Sequence, residues 1–165
     1  MAYKGIFKPE NPEKWFISKG GLGKGRVEYR SSWELKFMRW ADRHPNVLAV
    51  ASEEVVIPYR SPLDGRIHHY YTDFYIKVRN VRGEIVEKLI EVKPHAQTQQ
   101  PRQKKNKKKY LWECRTYIIN KTKWEAAKKW ADDKGMEFVI MTEYELGLKE
   151  RLTDRKARLK ERKCR

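Results

Sequence analysis

The feature that most constrains this chain is a pair of strand-like runs separated by one short turn. Residues 67–78 read IHHYYTDFYIKV and residues 85–93 read IVEKLIEVK, with RNVRGE between them. β-Branched and aromatic residues fill both runs, and Pro94 stops the second. If the hairpin loop is Val81-Arg82-Gly83, Gly83 takes the last loop position, where a three-residue hairpin needs a left-handed residue. Asn80 then opposes Glu84, and Asp73 opposes Glu91. Two carboxylates would meet across the strands at about 4.5–5.5 Å between Cβ atoms. Lys93, two residues past Glu91, points to the same side about 6–7 Å away.

Like charges directly opposed destabilise a sheet, and a divalent cation relieves them. Mg²⁺ is typically held by one or two carboxylates together with waters and phosphate oxygens. Lys93 would stand beside such an ion as a charge that orients or activates the attacking water. An Asp followed about twenty residues later by Glu-x-Lys on the adjacent strand therefore suits metal-dependent phosphodiester hydrolysis. Two plainer arrangements satisfy the same spacing. A one-residue slip turns Glu91 to solvent as an ordinary ion pair with Lys93, or Asp73 simply pairs with Lys93.

The charge balance points to a polyanionic partner. Among 165 residues there are 38 Lys and Arg against 22 Asp and Glu, a formal charge of +16. Nucleic acid or an acidic surface is the partner such an excess suits. Six Trp, nine Tyr and five Phe, set in periodic runs, exclude a disordered polycation. Cys114 and Cys164 form no CxxC pair, which fits a reducing compartment and argues against a disulfide framework or structural zinc. No apolar run reaches the roughly 20 residues of a membrane span, and the N-terminus carries no apolar signal core. A soluble intracellular protein is expected.

The rest of the chain frames the hairpin. Residues 1–26 read as an irregular arm that packs Phe7, Trp15 and Phe16 onto something else. Its GGLGKGR stretch lacks the Ser or Thr and the preceding strand of a phosphate loop, and reads as a flexible basic loop. Ser31 or Ser32 caps a helix whose stripe is Trp33, Phe37, Trp40 and Ala41, ended by His44-Pro45. Glu34 borders that stripe in the first turn, where it complements the helix dipole. Residues 47–60 give one or two strands, with Pro58 at an edge or bend. With 67–78 and 85–93 they make a β-meander. Residues 110–120 read as helix running into a short strand at RTYIIN. A second helix starts at a Thr122 cap, shows a face of Trp124, Ala127, Lys128 and Ala131, and ends at Gly135. MEFVIMTE is a last strand, set after a helix and so able to lie parallel to a neighbour. Residues 149–165 hold nine basic and three acidic side chains, as a helix or a disordered tail.

Arg102, Lys104, Lys105, Lys107, Lys108 and Lys109 form a run of six positive charges without an acid. They repel one another unless a polyanion neutralises them, so they are the expected DNA-binding segment. No base-reading helix stands out, so backbone and shape readout is expected. His68 and His69 are adjacent on a strand and face opposite sides, which argues for packing over a shared metal. His95 and the Gln97, Gln99, Gln100 cluster read as polar loop.

Asp73 with Glu91-Val92-Lys93 resembles the PD-(D/E)xK nuclease core. Glu34 in YRSSWE is similar in place to the extra acidic ligand of many such families, including the TnsA-like transposition endonucleases and archaeal junction resolvases. YRSSWELKFMRWAD, SEEVVIPYRSPLDG, YYTDFYIKV, IEVKP, QTQQP and KWEAAKKWADDKGMEFVIMTE together resemble the head completion nucleases of T-even-type phages, over roughly residues 27–145. The resemblance implies a restriction-endonuclease-like α/β fold, a mixed β-sheet flanked by helices, over residues 27–148. It implies a catalytic set of Glu34, Asp73, Glu91 and Lys93, and a Mg²⁺ or Mn²⁺ ion on Glu34, Asp73, Glu91 and the Val92 carbonyl. It further implies an endonuclease acting on phage DNA during head completion after packaging, in the host-cell cytoplasm or the virion head, with the portal or other head proteins as neighbours. One position departs from the pattern: Thr72 stands where the family carries Pro before the Asp. The alternative is a non-catalytic basic protein that binds DNA or the portal.

Overall fold

The computed structural model describes residues 3–17, 26–149 and 151–163. The GGLGKGR stretch therefore lies outside the described residues except for Arg26. The described strands begin with β1 (Gly5–Phe7), β2 (Trp15–Phe16) and β3 (Val27–Tyr29), followed by helix α1 (Ser32–Arg43). Then come β4 (Val47–Ser52), β5 (Val56–Arg60), β6 (Ile67–Tyr71), β7 (Phe74–Arg79) and β8 (Ile85–Val92). A single turn α2 (His95–Thr98), the long helix α3 (Lys107–Asp133), β9 (Glu137–Met141) and α4 (Leu152–Lys163) complete the order.

The central sheet has the order β2-β4-β7-β8-β9. It is mixed: β4–β7 and β7–β8 are antiparallel, while β2–β4 and β8–β9 are parallel. Helices cover both faces, which is the restriction-endonuclease-like α/β arrangement expected. On one face α1 sets Phe37, Met38 and Ala41 against Val50, Phe74, Ile76, Ile90 and Val92. On the other, α3 sets Ala127 and Ala131 near Leu89, together with Ile57, Tyr59 and Tyr70. Strand alternation sorts β8 accordingly: Ile90 and Val92 go to α1, Leu89 and Glu91 to the α3 side. No described helix is long and apolar enough to cross a membrane.

The β7–β8 hairpin has the expected register, with Phe74 opposite Ile90 and Arg79 opposite Ile85. Asn80 N–H donates to the Glu84 carbonyl at 2.9 Å, and Gly83 sits at φ 81°. The Asn80 side chain accepts from the amides of Arg82 and Glu84, both at 2.9 Å, which fixes the loop. Pro58 lies in the two-stranded β5–β6 sheet, away from the central ladder, where its missing N–H is tolerated.

Several expectations need correction. Residues 67–78 are not one strand. The chain breaks at Thr72-Asp73, so β6 pairs only with β5 and β7 alone enters the central sheet. Thr72 N–H donates to the Val55 carbonyl at 3.3 Å and Glu53 N–H to the Asp73 carbonyl at 3.1 Å, bonds that divert both strands together. The α1 stripe is rotated: Leu35, Phe37, Met38, Ala41 and Asp42 are buried, whereas Trp40 is 43% exposed. The RTYIIN strand does not exist. With no Gly or Pro between its Asn106 cap and Asp133, α3 runs through 27 residues. Thr122 is inside it, its hydroxyl donating back to the Ile118 carbonyl at 2.9 Å. Of the predicted α3 face, Ala127 and Ala131 are buried and Lys128 is exposed. Gly135, at φ 70°, does follow the helix end.

The N-terminal arm is not irregular where described. β1 pairs with β3 and β2 extends the central sheet. Trp15 is buried, but Phe16 is 65% exposed because alternation sends it outward. The anchor is Asp42 on α1, 1% exposed. Its carboxylate accepts from Glu10 N–H at 2.8 Å, Asn11 N–H at 3.2 Å and Trp15 Nε1 at 2.9 Å. Its carbonyl accepts from Asn11 Nδ2 and the Lys14 ammonium. Asp42→Ala strands the three donors to the carboxylate, the N–H groups of Glu10 and Asn11 and the Trp15 indole, each at a desolvation penalty of about 1–3 kcal/mol, and leaves the carbonyl bonds in place. Urea denaturation should therefore show a loss of at least about 3 kcal/mol for Asp42→Ala, against less than about 1 kcal/mol for Trp40→Ala.

Candidate active site

The site is built at the ends of β7 and β8, on the α3 side of the sheet. Because Phe74 opposes Ile90, the residues one step further out are Asp73 and Glu91. Glu91 is 4% exposed, on the Leu89 side of its strand. A buried carboxylate needs partners, and Glu91 has two. Tyr70 from β6 donates its hydroxyl to Oε2 at 2.6 Å, and Lys93 Nζ lies 3.2 Å from Oε1. The Lys93 side chain remains 29% exposed, so its ammonium spans from the buried carboxylate to the opening. Burial and then the charge of Glu91 raise the Tyr70 phenol well above its ordinary range, so it stays a donor.

Asp73 is poorer in partners. Val92 N–H donates to Oδ2 at 2.8 Å. Burial first and the Glu91 charge second push its carboxyl up to about 8, and Glu34 adds to the shift; Val92 N–H and Lys93 oppose it. The two carboxylates thus share one field, as the register requires, and the slipped alternative with Glu91 in solvent is excluded by its burial.

Glu34 sits in the first turn of α1. Its Oε2 accepts from Arg30 N–H at 2.8 Å and its Oε1 from the Ser31 hydroxyl at 3.1 Å, while Glu34 N–H donates to Ser31 Oγ at 3.1 Å. This is a variant of the capping box, in which the Glu34 carboxylate takes the N–H of the residue before the Ser31 cap. Glu34 raises Asp73 electrostatically, but among the described residues no three His, Cys, Asp or Glu side chains converge as a ready-made metal cage. A hard cation that keeps several waters needs only one or two carboxylates. Asp73 and Glu91, oxygen donors with a surplus of negative charge, fit that requirement.

Three contributors escaped the sequence reading. Tyr70, which no motif marks, orients Glu91 through its hydroxyl. Glu53, at φ 53°, holds the Asp73 backbone and pairs with Arg30 at 2.6 Å. Burial raises its pKa, and Glu34 is among the charges it feels. A left-handed non-glycine residue is uncommon, and here it sits beside the site. Lys123 of α3 is the third.

The segment leaving the site is pinned by β9 and the residues after it. Lys93 N–H donates to the Met141 carbonyl at 3.0 Å, and His95 N–H to Glu143 Oε2 at 2.8 Å. The His95 ring stands edge-on to Tyr144 at 5.3 Å. His68 meets Asp64 at 2.8 Å and Tyr59 at 5.8 Å between rings, away from any metal arrangement.

Residues 44–143 match the family described as TnsA-like endonuclease N terminal. The chain belongs to the TnsA-like endonuclease family. The matched region contains Asp73, Glu91 and Lys93 and begins after Glu34. The head completion nuclease of Enterobacteria phage T4 is 36% identical over 148 residues, which cover 87% of this chain and 93% of that relative. Membership in an endonuclease family agrees with the paired carboxylates and adjacent lysine, and the chain is a nuclease of that family.

The raised Asp73 carboxyl has a stability consequence. A carboxyl whose folded pKa lies above its unfolded value of about 3.9 contributes stability below that pH and loses it as pH rises through the folded pKa. In EDTA the protein should therefore melt at lower temperature at pH 8.5 than at pH 5 on account of Asp73. Asp73→Asn cannot ionise and keeps an acceptor for Val92 N–H. Its melting temperature at pH 8.5 in EDTA should exceed wild type by about 3 °C or more, corresponding to about 1 kcal/mol, and the gap should narrow at pH 5. Equal melting temperatures at pH 8.5 would contradict this.

Proposed function

We propose that the chain is a divalent-metal-dependent DNA endonuclease that acts on phage DNA during head completion, after packaging. The observation that carries the reading is the buried Asp73–Glu91 pair, served by a single ammonium, Lys93, at ion-pair distance. The family and the T4 relative support the reaction class and the setting. In that setting the place of action is the infected cell's cytoplasm or the filled head, and the portal or other head proteins are the natural neighbours. The nuclease unit would span 27–148, with the 149–165 segment as a basic appendage.

Asp73 and Glu91 would hold Mg²⁺ or Mn²⁺, with the Val92 carbonyl as a third oxygen. When bound, the ion supplies a Lewis acid that withdraws charge from the phosphate and acidifies a coordinated water. Tyr70 fixes the Glu91 carboxylate, so that its second oxygen faces Lys93. Lys93 Nζ orients the attacking water and offsets the charge that builds on the phosphate oxygens. Glu34, both of whose oxygens are engaged at the α1 cap, would reach the ion through a water rather than directly.

DNA binding would rest on Arg102, Lys104, Lys105, Lys107, Lys108 and Lys109. Lys107, Lys108 and Lys109 occupy the first turn of α3, where no acidic residue stands. Cations there oppose the helix macrodipole, an arrangement that phosphates relieve and water does so only in part. Lys104 is paired with Glu113 at 2.7 Å and would exchange that partner for a phosphate.

The test is cleavage of linear duplex DNA with Mg²⁺ or Mn²⁺. Asp73→Ala should show no product, and Lys93→Ala should slow cleavage by about 100-fold or more. Both should keep salt-sensitive DNA binding measured with Ca²⁺. Wild-type cleavage rates in either variant would sink the catalytic assignment and leave a basic binding protein in its place.

A further inference from the structure

One face of α3 has been given no role beyond the place of Lys123 beside the site. Lys123 is half-buried on the α3 side of the sheet, its Nζ 5.6 Å from the centre of the Tyr70 ring and 5.7 Å from that of Tyr59. Tyr70 is the residue whose hydroxyl holds Glu91. The Lys123 ammonium also feels the charges of Glu91 and Lys93, which places it beside the carboxylate site. Among the described residues no carboxylate lies at ion-pair distance from it. An aromatic seat positions a cation without neutralising it, so the charge stays available to an anion.

Stepping back along the same helix face from Lys123 by three or four residues at a time reaches Asn120, then Thr116, then Trp112. These three line one wall of a cavity of about 230 Å³. The opposite wall includes Gln97 and Gln99, on the segment that leaves Lys93. Trp112 is 65% exposed, a large aromatic surface left facing water at the mouth of a groove. Lys123 and Trp112 are about 16 Å apart along the helix axis at about 1.5 Å per residue. At the stacked-strand rise of about 3.4 Å that span holds at most about five nucleotide steps, and fewer in an unstacked, extended strand. Aromatic faces suit unstacked bases of any identity, and the amides of Gln97, Gln99 and Asn120 suit their polar edges. A paired, stacked duplex presents no free base face to such a wall.

We propose that this groove is the track of an unpaired DNA strand entering the active site. Lys123 contacts the phosphate nearest the carboxylates, and Trp112 stacks on a base up to about five nucleotides away. The substrate class is DNA with a single-stranded stretch beside the cut, such as a flap, fork or overhang, in preference to a blunt duplex. This rests on the endonuclease reading above and specifies its substrate.

The test is fluorescence anisotropy in EDTA, where no cleavage occurs, with a blunt duplex and with the same duplex carrying about five unpaired nucleotides. Wild type should prefer the overhang, and Trp112→Ala should reduce that preference about tenfold. Lys123→Met keeps the aliphatic stem but loses the charge. It should lower the slope of log affinity against log salt on the overhang by about 0.7, the value of one single-strand phosphate contact. Lys123→Arg should restore the slope. A purely structural lysine would shift the melting temperature and leave the slope alone. An unchanged slope in Lys123→Met, or an unchanged preference in Trp112→Ala, overturns the track. Wild-type cleavage with Mg²⁺ is scored separately: its absence sinks the endonuclease reading, whereas the anisotropy results decide the track.

Discussion

Two carboxylates facing each other across adjacent strands repel, and most of what surrounds them in this protein limits or exploits that repulsion. Glu91 remains buried because Tyr70 and Lys93 engage its two oxygens from different sides. Asp73 receives one backbone donor and carries a raised pKa. The pair is held in place by the backbone. Gly83 in its left-handed turn and Asn80 across the loop set the β7–β8 register, and a slip of one residue would throw the whole constellation to the other face. Since the sheet is covered by α1 and α3, such a slip would also drive Ile90 and Val92 out of one core and Leu89 out of the other. The apolar packing thus enforces an electrostatic arrangement that the charges alone would avoid.

Asp73 is placed by a change of sheet. The chain leaves the β5–β6 pair at Tyr71 and enters the central sheet at Phe74, with only Thr72 and Asp73 between. Thr72 is 1% exposed, and its hydroxyl has no partner among the described residues. Its N–H, however, donates to the Val55 carbonyl, a bond that the Pro expected at this position is unable to make. The departure from the family pattern therefore exchanges a stiff ring for one extra tie between the two sheets. On the other side Glu53, in a left-handed conformation, ties its N–H to the Asp73 carbonyl. The aspartate is clamped front and back by main chain, so its side chain has little freedom to escape its neighbour.

The legible parts of this architecture were those written in local chemistry. Gly83 and the alternating runs around it specify the hairpin, and with it the opposition of Asp73 and Glu91. Gly135 marks the end of α3, and the parallel β9 follows from the helix before it. What sequence could not give was decided by tertiary context. Tyr117, Ile118 and Ile119 look like a strand by composition, but an uninterrupted 27-residue helix with an Asn106 cap absorbs them. Trp40 looks like core by spacing, but α1 is rolled toward Leu35, Met38 and Asp42, because Asp42 must reach the N-terminal arm. Tyr70 and Lys123 carry no motif at all. Their link to Glu91 exists only because β6, β8 and α3 meet on one side of the sheet.

The sign of the charge changes with scale, and this shapes how such a chain meets a phosphate backbone. The whole molecule carries +16, so a polyanion is drawn to it from a distance. At the centre of the site the charge is reversed: Glu91 and Glu34 both act on Asp73, and Glu53 feels Glu34. An approaching phosphate is therefore attracted by the periphery and repelled by the centre unless a cation intervenes there. Lys93 and Lys123 are the ammonium groups at that boundary, the one paired with Glu91 and the other seated on Tyr59 and Tyr70. Neither alone offsets the negative charge present once Asp73 ionises. Under the proposed metal-dependent reading, a divalent ion would complete the balance while presenting its own charge to the phosphate, so that the site would be competent only when loaded and the unloaded protein would bind DNA through its basic segments without cutting it.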